Sequence, residues 1–177
     1  MQNCLNWMAT SLVEGEMWHE RSALCCYNLG FRGLGRWHEA ESCGDEKRRK
    51  GFDKYMLDNA RLLPIVDLSQ SSRAISYGIA DKNQLNSHLT HWMDRESGYI
   101  AQLKEHIARL SQAKQYSPYK MLCEYLCELE NELLYVRILS DNIKFGATDH
   151  HTARVMKDLH KYFECEYDGG KIDFTIT

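Results

Sequence analysis

A chain of 177 residues is long enough for one domain with a sizeable core. With 44% hydrophobic residues, 27% charged residues and a net charge of −3, its balance points to neither nucleic acid nor an anionic membrane surface. No apolar run reaches the roughly 18 residues of a membrane helix, and the start, MQNCLNWMATSLVEGE, lacks the basic-then-apolar order of a signal peptide.

In chain order, the first predicted helix covers 5–30, with Leu5, Ala9, Leu12, Glu16, Ala23 and Tyr27 on one arc at about 100° per residue. GFRGLG, 30–35, reads as a turn. The second helix covers 34–60, on a stripe of Leu34, Trp37, Glu41, Asp45, Arg48, Phe52, Tyr55 and Met56. Residues 61–83, with Pro64, a serine cluster and Gly78, read as a long connection. The third helix, 84–114, aligns Leu85, Leu89, Trp92, Glu96, Ile100, Leu103, Ile107 and Leu110. KQYSP is a short turn, with Ser117 as the expected cap and Pro118 in the first turn of the fourth helix. That helix, 118–144, runs on Leu122, Leu126, Leu129, Leu133 and Val136. A shorter fifth helix is predicted at 149–164, followed by a tail over 166–177 without helical period.

Two hairpins with short turns, joined by a crossover of roughly 20 residues, make an all-α four-helix bundle with one long crossover, a ferritin-like arrangement. The crossover lets the second and third helices run parallel. Residues 1–165 form this single bundle domain. Seven cysteines in no framework spacing predict reduced thiols and a cytoplasmic setting. Cys123 and Cys127 lie one helical turn apart, with no second pair to complete a zinc site.

Chemistry is expected where carboxylates interrupt the apolar stripes. Glu16, Glu41, Asp45, Glu96 and Glu132 fall on or beside core faces, with Glu20 a turn beyond Glu16 and His19 at the edge of the arc. Carboxylates buried in apolar packing are costly unless paired or bound to a metal. Either a divalent ion such as iron sits among Glu16, Asp45 or Glu46, and Glu96, or Arg48 supplies the positive charge itself. A guanidinium pairs well with carboxylates but has no lone pair for a metal. Glu16 with His19, and His38 with Glu41, are E-x-x-H steps, forward and reversed, that would build a shifted site. His88 and His91 read as solvated, Asp149 as a helix cap ahead of His150 and His151, and KRRK (47–50) as a solvated stretch spread round a helix. No phosphate loop or nucleophile elbow is present.

Two segments carry a family resemblance: GFRGLGRWHEAESCGDEKRRKGFDKYM and MDRESGYIAQLKEHIARLSQAKQYSPYKMLCEYLCELENELL. Over about residues 5–165 the chain resembles the non-haem bacterial ferritins of the ferritin-like superfamily. The resemblance implies a di-iron ferroxidase site. Glu16 would come from the first helix, Asp45 and Arg48 (or, one residue on, Glu46 and Arg49) from the second, and Glu96 from the third. Further iron-binding carboxylates would be Glu128 and Glu132. In both registers arginine stands where the family has histidine, and Leu129 stands where it has a polar ligand. The resemblance thus implies iron as bound cargo, an impaired or absent ferroxidase centre, and a homo-oligomer, cage-like in the family, whose fifth helix lines a subunit junction. The alternative is a non-catalytic helical interaction protein that has lost its metal.

Overall fold

The computed structural model describes residues 2–60, 65–68 and 84–144. The expected fifth helix at 149–164, the tail at 166–177, Pro64 and most of the crossover lie outside them. Four long helices account for nearly all the rest: α1 (Gln2–Asn28), α2 (Arg32–Tyr55), α3 (Leu85–Gln112) and α4 (Tyr116–Lys144).

Each hairpin turn is built by backbone hydrogen bonds. At the end of α1, Phe31 N donates to Cys26 O and Gly30 N to Tyr27 O, at 2.8 and 3.0 Å. This paired capping pattern needs a left-handed residue, supplied by Gly30 at φ +84°. The turn is therefore shorter than GFRGLG. Gly33 and Gly35 already belong to α2, and Gly35 serves packing instead: a Cβ there would lie 2.7 Å from the Tyr27 ring. The α3–α4 turn repeats the pattern, with Gln115 N on Leu110 O and Lys114 N on Ser111 O, both at 3.0 Å. Here Lys114 holds the left-handed conformation at φ 55°. Ser117 lies within α4 rather than capping it, and its hydroxyl accepts from Tyr55 at 2.9 Å. After Tyr55 the helix widens into a π turn, Met56–Ala60, so regular α2 stops short of residue 60.

The two hairpins pack side by side. Tyr55 meets Ser117 at one end of α2, and His38 meets His88 towards the other, so α2 and α3 run parallel. The described piece of the crossover follows α1, where Ile65 N donates to Asn6 Oδ1 and Asp67 N to Thr10 Oγ1.

The core falls into two apolar clusters. One, at the N-terminal end of α1, gathers Leu5, Leu12, Phe52, Met56, Leu103 and Leu122. The other, towards the α1–α2 turn, gathers Trp18, Leu34, Trp37, Leu89, Trp92 and Leu139. Between them lies a layer of ionisable side chains from all four helices.

Candidate metal centre

On α1 the buried face runs through Leu5, Met8, Leu12, Trp18, His19, Ser22 and Cys26. The buried face keeps the expected Leu5, Ala9, Leu12 and Ala23 and widens on the side of Gly15, His19 and Ser22, leaving Glu16 and Tyr27 at its margin. His19 turns inward and is 1% exposed, Glu20 is exposed, and Glu16 lies at the side. On α2, α3 and α4 the expected stripes hold. They bury Glu41, Asp45, Glu96 and Glu132.

These residues pair as follows. Arg48 bridges two helices, with Nη1 2.8 Å from Asp45 Oδ1 and Nε 2.5 Å from Glu128 Oε2. Arg49 holds Glu16 at 2.9 Å near the surface. Glu46 points outward and pairs with Lys50. The register ambiguity on α2 is resolved: Asp45 faces the layer and Glu46 does not. Leu129 packs in the first apolar cluster.

A second arginine, absent from the sequence reading, lies deeper. Arg95 Nη1 is 2.6 Å from Glu96 Oε1. Its guanidinium carbon sits 4.8 Å from the ring centroids of both Trp18 and Tyr99, a cation–π setting. The legible signal was its spacing, three residues after Trp92 and four before Tyr99. Gly15 makes the room: a Cβ there would overlap Asp45 Oδ2 and lie 3.2 Å from Arg95 Nη2.

Glu132 Oε1 accepts from Trp92 Nε1 at 2.9 Å and lies 3.3 Å from His19 Nε2. A ring nitrogen of His19 and one carboxylate oxygen each from Glu96 and Glu132 all fall within 4.8 Å of one another. Glu96 Oε2 is buried and has no hydrogen-bond partner among the described residues. Behind His19, two more buried imidazoles continue the chain of contacts towards the start of α3. His19 Nδ1 is 2.9 Å from His38 Nδ1, and His38 Nε2 is 3.0 Å from His88 Nε2. His88 is not solvated as expected; it is 6% exposed and stacks on Trp18 at 5.3 Å. His19 thus joins a cluster without its E-x-x-H partner Glu16, and His38 joins it without Glu41, whose Oε1 accepts from Trp37 Nε1.

Four buried carboxylates face two guanidiniums, Arg48 and Arg95, so full ionisation would leave two negative charges in excess. Three of these acids, Asp45, Glu96 and Glu132, are shifted towards the protonated form. Burial pushes Asp45 up to about 7, reinforced by Glu132 and Glu41 and opposed by Arg48 and Arg95. Burial, then the Glu132 charge, raises Glu96 well above the carboxylate range against the pull of Arg95. Glu132 is raised by burial too. Burial also lowers His19 and His38 far below the usual imidazole range, and takes His88 to about 4.

The donor set fits a divalent ion. One imidazole and two carboxylates suit iron, manganese or zinc. Donors at about 2.1 Å from one tetrahedral ion stand roughly 3.4 Å apart, so the widest pair of the triad would close by up to about 1.4 Å on binding. The orphaned Glu96 Oε2 is the atom such an ion would satisfy, and a doubly charged ion would balance the layer.

No protein-family model matches this sequence, and no curated protein matches it. Known structures do. Two crystal structures of an open pore ferritin from the hyperthermophilic archaeon Archaeoglobus fulgidus superpose with TM-scores of 0.70 and 0.72. Each alignment covers 90% of this chain and 94% of that one, at 14% and 12% identity respectively. The chain therefore has the ferritin-like four-helix fold; identity this low carries the fold alone.

Proposed function

We propose that this protein binds and stores iron in the manner of the ferritins it resembles in fold, through one interior ion site per chain rather than a paired-ion ferroxidase centre. Iron is the cargo. His19, Glu96 and Glu132 hold it. The observation that carries this reading is their convergence, with one oxygen of Glu96, Oε2, buried and unpartnered among the described residues. Arg48 on Asp45 and Glu128, and Arg95 on Glu96, take up carboxylates that a second ion would need. Oxidation of iron is therefore slow or absent. Glu16, with Arg49, stands apart from the interior site and serves at most as an outer binding group. Storage further calls for a homo-oligomeric shell.

Anaerobic Fe(II) titration, followed by oxygen, tests the site. Binding near one ion per chain with slow oxidation is expected, and Glu96→Gln or Glu132→Gln should weaken it at least about tenfold. Rapid oxidation of two ions per chain would refute the single-ion site. Size-exclusion chromatography with light scattering tests the shell; a monomer or dimer would count against storage.

The arginine–carboxylate pairs favour one other reading, a metal-free helical interaction protein. That reading stands if neither Fe(II) nor Zn(II) binds.

A further inference from the structure

The three buried imidazoles form a chain whose ends differ. The inner end, His19 Nε2, faces Glu132 Oε1 in the layer, 3.3 Å away. The outer end, His88, stands in the first turn of α3. Between them, His38 offers Nδ1 to His19 and Nε2 to His88. Neighbouring indoles pin the rings: Trp92 stacks on His38 at 4.3 Å and Trp18 on His88 at 5.3 Å. With the rings fixed, the chain can change only by moving protons.

We infer that His38 and His88 are positioning residues that set, as one unit with His19, which nitrogen of His19 carries its proton, and so whether the site meets an N–H or a lone pair. The metal-responsive half of this inference rests on the ion site proposed above; the metal-free half rests on hydrogen-bond geometry alone.

Each N···N contact holds one proton, and each neutral imidazole carries one. Only two arrangements then satisfy both contacts. In the first, His38 is protonated at Nδ1 and donates to His19. His19 therefore carries its proton at Nε2 and donates to Glu132, while His88 donates from Nε2. Glu132 Oε1 already accepts from Trp92 Nε1, which marks it as an acceptor and favours this arrangement without metal. In the second, every proton is moved: His19 and His88 carry theirs at Nδ1, His38 at Nε2. His19 Nε2 is then bare and able to ligate an ion.

The exchange balances. His19 would release its Nε2 proton to solvent along the path by which the ion enters, and take one at Nδ1 from His38. His38 takes one at Nε2 from His88, and His88 takes one at Nδ1 from solvent. Each ring stays neutral. Ion binding at His19 thus converts the Nδ1 of His88 from acceptor to donor, two rings away.

The test uses the full chain labelled with 15N-histidine, stripped of metal by chelator and then titrated with Zn(II), which is diamagnetic. Long-range 1H–15N spectra report each ring's tautomer. Without metal, His38 should be protonated at Nδ1, and His19 and His88 at Nε2. One equivalent of Zn(II) should reverse all three. His38→Asn keeps an acceptor towards His19 and should retain most of the zinc affinity, with His88 no longer responding. His38→Phe should lose about tenfold or more. A metal-free His38 protonated at Nε2 would overturn the inference. Zinc bound with the tautomers of His38 and His88 unmoved would overturn the relay while leaving the ion site standing. Failure to bind zinc at all would overturn the ion site and the metal-driven exchange together, with the metal-free tautomers still deciding the rest.

Discussion

A missing side chain at position 15 leaves room for two charged groups, Asp45 and Arg95. Helix propensity alone would favour alanine over glycine there by about 1 kcal/mol. The methyl group, however, would overlap Asp45 Oδ2 and crowd Arg95. Gly15→Ala should therefore destabilise the protein, by about 1–3 kcal/mol in denaturant unfolding, against its local propensity. An unchanged or raised midpoint would mean that Asp45 can move aside at no cost. At this scale the sequence announced the acids better than their cations. Glu96 and Asp45 sit mid-stripe among apolar residues, so periodicity finds them. Arg95 lies off the stripe, and only the aromatic rings of Trp18 and Tyr99, from two helices, give it a buried seat. Glu16 and Glu46 show the converse error: each is within about one helical step of the interior, and each ends beside a basic residue at the surface.

Helices and turns were the more legible elements. Long stripes with spacings of three and four fix helix identity because an amphipathic helix must bury one face. Turn chemistry is read less surely, since a run of three glycines does not say which one takes the left-handed conformation. Gly30 does, while Lys114 holds the equivalent place in the other hairpin with a side chain that disfavours it. Replacing Lys114 with glycine should raise stability by about 0.5–1 kcal/mol, read as a higher unfolding midpoint at unchanged m-value. A lower midpoint would show that the lysine contributes something that its backbone strain conceals.

For the molecule as a whole, the polar layer ties stability to pH in two opposing directions. Asp45 titrates near 7 when folded and near 3.8 in its ordinary state. Between those values the folded protein keeps a proton that the unfolded chain has released, so stability falls as pH rises through this window. The buried imidazoles act in the opposite sense. They stay neutral while the unfolded chain becomes protonated below about 6.5, so they cost stability as pH falls. Asp45→Asn isolates the first effect. In metal-free protein, the stability of the parent relative to the variant should drop from pH 4.5 to 7 by up to about 1.4 kcal/mol per pH unit. Parallel curves for the two proteins would show that Asp45 is ionised throughout.

Along the chain, spacing alone determined four long helices, two tight turns and a crossover long enough to span the bundle, because burying one helical face imposes a repeat that a single sequence displays. It also determined that acids interrupt that face. Which of those acids meet, and with which cations, was decided only when four helices from distant parts of the chain met at one level. On α1 the buried face took in His19 and left Glu16 at its margin, and α3 brought Arg95 and His88 inside. Periodicity constrains each helix by itself. The partners of a buried charge are set by the packing of all four.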